Sequence, residues 1–439
     1  MLAVSAILLL APQGDAPPPV PLNLAVLREH HGETKGSGYG FGLAFLGDVD
    51  RDGTIDYAIG APRDLSRPES EGAVTVHSGK SGRVLFAHRG EGHGTAFGFA
   101  LAGGDCDGDG IADVVVGAPY ASKGELLQAG SVQFFSGKDG RLLREISGRT
   151  TGESFGWAIV ELGDVDRDRV TDYAIGAPFA DRRRNRETID LDAGRVDVIS
   201  GKTGKVLWSA WGEAAEDRFG SALASVEDCN ADGAREVLVG AEGARKGTER
   251  PGSATLLSGR TGSKMVRLTG DSGTYFGTAV CSLGDLDGDR QPELAIGAWN
   301  AGEEDHRSGE VRVCSGRTGK VLHVLRGAAH LDQFGRALAP LGDFDGDGVV
   351  DLAIGAPGEG IQPGYVRIVS GKTFTTLLEQ RGTAGERFGI TLRAADLDGD
   401  GAHELLVGAG VADVRRGSMD RAVLFGRNAQ AVETGRAPR

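Results

Sequence analysis

The sequence predicts an all-β chain folded as a seven-bladed β-propeller of four-stranded blades, closed by its N-terminal strand. Three observations lead there. An aromatic-Gly pair recurs seven times, an acidic loop follows each pair at a near-constant offset, and no stretch sustains a helical 3.6-residue period. The pairs are Tyr39-Gly40, Phe97-Gly98, Phe155-Gly156, Phe219-Gly220, Phe276-Gly277, Phe334-Gly335 and Phe388-Gly389, spaced by 58, 58, 64, 57, 58 and 54 residues. A β-solenoid is the competing architecture, but its repeats are much shorter.

Taken in chain order, residues 2–11 (LAVSAILLLA) are the one long apolar run, and ten residues are too few to span a bilayer. With Gly14-Asp15-Ala16 and a Pro cluster behind it, segment 1–20 reads as a signal-peptide-like leader, although no Lys or Arg precedes the run. Export, to a secreted or cell-surface/periplasmic location, is the expectation. Residues 21–430 are then a single propeller and 431–439 a tail. Leu22–His30 resembles the fourth strands of the later units (compare Arg83–Arg89), so it is expected to complete blade seven, whose own third strand is Arg421–Gly426. Closure of that kind removes open sheet edges.

Within each unit four short strands follow one another. In the second they are expected at Phe97–Ala102, Asp113–Gly117, Gly130–Ser136 and Arg141–Ile146. Runs such as Tyr57-Ala58-Ile59, Val114-Val115-Val116 and Leu405-Leu406-Val407 suit a strand buried on both faces. The small residues of Gly60-Ala61 and its counterparts are expected to let adjacent blades approach. Six units show a third strand closing in Ser-Gly-Lys/Arg, as in Val74–Lys80, Val132–Lys138 and Val311–Arg317.

The chemistry lies in the acidic loops, which read Asp-x-Asp/Asn-x-Asp-x-x-x-Asp/Glu in all seven units. They are Asp48, Asp50, Asp52, Asp56; Asp105, Asp107, Asp109, Asp113; and Asp164, Asp166, Asp168, Asp172. The others are Asp228, Asn230, Asp232, Glu236; Asp285, Asp287, Asp289, Glu293; Asp343, Asp345, Asp347, Asp351; and Asp396, Asp398, Asp400, Glu404. Hard oxygen donors at loop positions 1, 3, 5 and 9 suit Ca²⁺, up to one per blade, with a carbonyl near position 7 and water completing the shell. An EF-hand shares the opening but needs Glu at position 12, where this chain has Ile59, Val116, Ile175, Val239, Ile296, Ile354 and Val407. Charge supports a cation over a bare turn: the loops hold 27 carboxylates, so outside them the chain carries +13, and seven divalent ions would cancel the formal −14. Asn230 removes one charge, and Arg169 and Arg290 replace the turn glycine, so three loops depart from the pattern.

Aromatic-Gly, then Asp-x-Asp-x-Asp-Gly-x-x-Asp, then Gly-Ala-Pro (Gly60-Ala61-Pro62, Gly117-Ala118-Pro119, Gly176-Ala177-Pro178, Gly355-Ala356-Pro357) resembles the FG-GAP repeat of integrin alpha-chain propellers. The resemblance covers the chain after residue 20. It implies an extracellular propeller with calcium in such loops and a role in adhesion or partner binding. Pro is replaced by Glu242, Trp299 and Gly410 in three units, and no interval exceeds 64 residues, which leaves no room for an inserted adhesion domain.

The acidic balance excludes a nucleic-acid partner, which requires a basic footprint. Gly79-Lys80-Ser81 and Gly201-Lys202-Thr203 lack the upstream Gly of a phosphate loop, and Gly152-Glu153-Ser154-Phe155-Gly156 lacks the strand-to-helix setting of a nucleophile elbow. No catalytic residue is assigned. Cys281 and Cys314 fall on strands one and three of blade five, too far apart for a disulfide, and Cys106 and Cys229 lie in loops of non-adjacent blades. The connections after Gly-Ala vary most: Tyr120–Gln128, Phe179–Asp192, Glu242–Arg250 and Trp299–Arg307. They lie on the face opposite the acidic loops, where a protein or glycan ligand is expected, with Tyr120, Phe179, Trp299, Arg182, Arg183, Arg184 and Arg186 as contacts. The expected function is a non-enzymatic interaction or adhesion module. The alternative is a lectin-like propeller or a calcium-dependent polysaccharide lyase.

Overall fold

The computed structural model describes residues 22–34, 36–62, 71–243, 251–303, 306–360, 362–411 and 420–427. The leader-like segment 1–20, the tail 431–439 and residues 244–250 of one variable loop lie outside the described residues. Seven four-stranded antiparallel sheets form a ring. Blade one is Gly42–Gly47, Asp56–Ala61, Ala73–His77 and Val84–Arg89. Blade two is Ala100–Gly104, Asp113–Ala118, Ser131–Phe135 and Leu142–Ser147, within three residues of the predicted bounds. Blade seven combines Glu386–Ala395, Glu404–Val411 and Arg421–Arg427 with the N-terminal strand Leu24–His31. That last pairing runs antiparallel from Leu24 opposite Arg427 to His31 opposite Arg421, so the chain ends close the ring as expected.

Burial follows position within a blade. Second strands such as Asp56–Ala61 and Asp113–Ala118 are buried almost throughout, because a neighbouring blade covers each face. Fourth strands form the rim and expose apolar side chains such as Val84, Leu142 and Val206. All seven aromatics of the aromatic-Gly pairs are buried; a Phe so placed contributes about 2–3 kcal/mol.

The glycines explain how closely the blades approach. A Cβ on Gly60 would stand 2.1 Å from the carbonyl oxygen of Gly98 in the next blade, and one on Gly117 would stand 2.2 Å from that of Gly156. The same contact recurs around the ring and ends with Gly408 against Gly40, across the closure. The glycine of each aromatic-Gly pair therefore lies over the glycine of the preceding blade's Gly-Ala, and no side chain fits between them.

Each first strand touches its counterparts in both neighbouring blades, and together they line the central channel. At mid-height Leu43, Leu101, Ile159, Leu223, Val280, Leu338 and Leu392 form an aliphatic collar, each paired to the position-12 residue of its own loop. Cys281 and Cys314 occupy the first and third strands of blade five, and all four cysteines are free.

Candidate metal centres and the opposite face

Each acidic loop links a first strand to a second, and all seven share one backbone shape. Positions 4 and 6 take positive φ throughout: 60° and 87° at Arg51 and Gly53, 69° and 71° at Arg167 and Arg169, 82° and 67° at Gly288 and Arg290. The three departures from the motif thus leave the loop conformation intact, although a side chain in this region costs about 1–2 kcal/mol.

The position-1 carboxylate organises the turn. In loop one, Asp52 N donates to Asp48 Oδ1 (3.0 Å) and Gly53 N to Asp48 Oδ2 (2.9 Å), while Thr54 N donates to Asp52 Oδ1 (3.1 Å). Loop six repeats this with Asp347 N and Gly348 N on Asp343 at 2.9 and 2.8 Å. Position 9 is buried and anchors the loop to the rest of the blade. Val49 N and Asp50 N donate to Asp56 Oδ2 (2.8 and 3.1 Å), and Gly79 N, from the Ser-Gly-Lys turn, donates to Oδ1 (2.9 Å). Asp172 and Asp351 do the same with Gly201 and Gly371. These bonds put the acidic loops and the Ser-Gly-Lys/Arg turns on one face of the ring.

Of the three loops with Glu at position 9, loop four keeps the anchor, with Gly259 N on Glu236 Oε2 at 3.2 Å, and loops five and seven change it. Glu293 accepts Leu286 N at 2.8 Å, but Gly316 N turns to the Pro292 carbonyl instead, and Glu293 Oε1 is left buried without a partner. Glu404 accepts Leu397 N alone among the described residues; blade seven has no third-to-fourth turn, because its fourth strand comes from the N-terminus.

Carboxylate oxygens converge within 4.8 Å of one another for Asp48, Asp50 and Asp56, for Asp105, Asp107 and Asp113, and for Asp164, Asp166 and Asp172. In loops five and six the converging sets are Asp285, Asp287, Asp289 and Asp343, Asp345, Asp347. Burial and then the neighbouring aspartates push every position-9 carboxyl upward, Asp172 to about 6 and Glu404 to about 7. Asp50 Oδ1 is buried with no hydrogen-bond donor, as is Glu293 Oε1. Crowded, desolvated carboxylates with orphaned oxygens fit a hard cation, so these clusters are able to hold a metal.

The basic residue of the Ser-Gly-Lys/Arg turn, read from sequence only as part of a hairpin, leans onto position 5 of its own loop. Lys80 Nζ donates to the Asp52 carbonyl at 2.9 Å and Lys372 Nζ to that of Asp347 at 3.3 Å, while Arg260 Nε donates to that of Asp232 at 3.0 Å. Its recurrence two residues after a turn serine was the available signal.

On the opposite face, Tyr120, Phe179 and Trp299 are half-buried. Trp157 gathers the first two, with ring centroids 6.3 Å from Tyr120 and 5.3 Å from Phe179. Phe99 lies 4.6 Å from Trp157 and Phe41 lies 4.8 Å from Phe99, giving an aromatic row across blades one to three at the channel mouth. Trp299 stacks on Tyr275 at 4.7 Å. Phe41, Phe99 and Trp157 follow directly on the aromatic-Gly pairs, a position whose variation around the ring marks them in the sequence. Of the loop arginines, Arg182 bonds the Gly212 carbonyl at 2.8 Å, and Arg184 bonds Asp190 and the Glu213 carbonyl, both holding the hairpin of Arg182–Arg183 with Ile189–Asp190. Arg183 and Arg186 are exposed.

Comparison with known proteins agrees with this geometry. The FG-GAP repeat profile matches residues 97–135 and 334–369. Similar curated proteins include integrin alpha-V of Gallus gallus, 28% identical over 46% of this chain and 20% of the relative. Integrin alpha pat-2 of Caenorhabditis briggsae is 32% identical over 47% of this chain and 18% of the relative, and integrin alpha-PS2 of Drosophila melanogaster 28% over 55% and 17%. The chain therefore spans about a fifth of the length of the curated relatives it matches. No helix among the described residues is long and apolar enough to cross a membrane. Repeat, blade and loop agree: the chain carries FG-GAP repeats at residues 97–135 and 334–369, and its propeller resembles that of integrin alpha chains.

Proposed function

We propose that this protein is an exported, calcium-stabilised propeller that acts as a non-enzymatic interaction or adhesion module. The observation that carries this reading is the sevenfold repetition of one loop shape with a buried position 9 on a single face, its carboxylates converging in loops one, two, three, five and six. The residues at positions 1, 3, 5 and 9 would hold the ions, from Asp48, Asp50, Asp52 and Asp56 in loop one to Asp396, Asp398, Asp400 and Glu404 in loop seven. Calcium there neutralises carboxylates that otherwise repel one another and supplies no reaction step. The nearest basic side chains, such as Lys80 and Lys372, are hydrogen-bonded to loop carbonyls, an arrangement for clamping a loop rather than for abstracting a proton.

The face carrying the aromatic row would meet the partner, a protein or glycan, since aromatic side chains half-buried on a rigid scaffold are favoured anchors. The test is direct titration of the full chain with Ca²⁺ by calorimetry. Saturation near seven ions per chain supports the reading, and saturation at one or none overturns it. For the binding face, a W157A/F179A/W299A variant should retain its calcium stoichiometry and lose any partner that the parent retains. Equal retention by both would remove the partner from this face.

A further inference from the structure

At the aromatic mouth of the channel, above the aliphatic collar, lies a chamber of about 180 Å³ lined by the first strands of all seven blades. Its lining departs from sevenfold symmetry in charge. The residue following the aromatic-Gly pair is Phe41, Phe99, Trp157, Ser221, Thr278 or Ile390 in six blades, and in blade six it is Arg336. The residue following the collar is Ala44, Ala102, Val160, Ala224, Cys281 or Ala339 in six blades, and in blade seven it is Arg393. Both arginines line this chamber, and Arg393 also borders the chamber on the far side of the collar.

Neither guanidinium has a carboxylate within ion-pair distance among the described residues. Arg336 Nη1 donates to Thr278 Oγ1 at 2.9 Å, and Arg393 Nη1 donates to the carbonyl of its own neighbour Leu392 at 2.8 Å. Behind them Arg387, held by Gln333 Oε1 at 3.2 Å, adds a third positive charge close to Arg336. Arg393 is exposed to the channel, whose far chamber it shares with Glu161 and Glu227. In a chain of net charge −14, two guanidinium forks that face one chamber without an ion-pair partner stand out. The other side of the same chamber carries Phe41, Phe99 and Trp157, ring against ring.

We propose that this chamber is a binding site for a carboxylate carried on a flat apolar body, its oxygens taken by Arg336 and Arg393 and its body laid against the aromatic row. Guanidinium forks match carboxylate geometry in a bidentate manner, and the aromatic faces favour a planar group. The inference goes beyond the calcium and partner readings and stands without either of them, because small molecules probe it.

The experiment titrates the calcium-loaded full chain with benzoate, acetate and inorganic phosphate, followed by ligand-observed NMR. Benzoate should bind saturably in the millimolar range or tighter, ahead of acetate and phosphate, as suits a ligand of its size. R393A and R336A should each weaken benzoate by about tenfold or more. W157A should weaken benzoate and leave acetate nearly unchanged. R393A only restores the small residue that most other blades carry, so folding is retained, which a thermal melt checks. No saturable binding of benzoate overturns the proposal. So does benzoate binding that ignores R393A and R336A, or phosphate binding tighter than benzoate, which would mark a general anion site.

Discussion

Withdrawal of calcium should lower the melting temperature of this protein by about 6–15 °C. Each loop that binds with an extracellular-type dissociation constant of about 10⁻⁴–10⁻³ M contributes about 0.7–1.8 kcal/mol at about 2 mM Ca²⁺. Seven such loops contribute about 5–13 kcal/mol, as large as the whole stability of an ordinary domain. The ring melts as one unit, because its blades are closed on each other by the Leu24–His31 strand. With an unfolding entropy of about 2.1 cal/mol/K per residue, about 400 ordered residues convert that loss into a fall in Tm of about 6–15 °C. Calorimetric scans of the full chain in about 2 mM Ca²⁺, in about 2 mM Mg²⁺ and in excess chelator would measure it. Mg²⁺ should recover little, since loops with this many anionic oxygens suit the larger ion. A chelated Tm within about 2 °C of the calcium value would refute the reasoning, because the converging carboxylates would then be folded without any cation to offset them.

Three further outcomes are expected. Burial opposes the Glu153 carboxylate, yet Arg195 (2.9 and 3.2 Å), Thr150 and the Arg149 amide hold it below its usual range. A depressed carboxyl stabilises above its unfolded value and ceases to as pH falls through the folded one, so this contribution should begin to decline below about pH 4.5 and be gone once pH lies under the lowered folded value. E153Q should cost about 3–5 kcal/mol in urea unfolding at pH 7, since buried Arg195 would keep only Asp197 at 3.0 Å; a cost under 1 kcal/mol would contradict this. G117A places its Cβ 2.2 Å from the Gly156 carbonyl oxygen and should destabilise by about 3 kcal/mol or more, read from the denaturant midpoint. R169G should raise stability by about 1 kcal/mol in the same assay, by relieving a side chain from φ 71°.

The ring, the closing strand and the acidic loops were legible in the sequence because each is written seven times. Gly60 and Gly98 could be read as packing glycines because every blade repeats them where two backbones meet. Asymmetric features were harder to read. The tilted ring contacts of Phe41, Phe99 and Trp157 join residues 58 apart in sequence, and only the assembled blades bring them together. The hold of Lys80 on Asp52 crosses from one connection to another, so it depends on two loops emerging on the same face. The arginines of blade three showed the limit of reading loops by composition: Arg182 and Arg184 looked free for a partner, but carbonyls and an aspartate of their own neighbourhood hold them.

Pairing Leu24 with Arg427 also sets an order of events in time. Leu24–His31 is made before its partner, which follows about 400 residues later, and at about 5–20 residues per second that is a wait of roughly 20–80 seconds. Joining ends that far apart costs on the order of 5 kcal/mol in loop-closure entropy, an expense the chain meets only at its last step. Until then blade seven lacks its outer strand and the ring has a gap between first and last blades. A nascent propeller of this design therefore stays open until its seventh blade has been made.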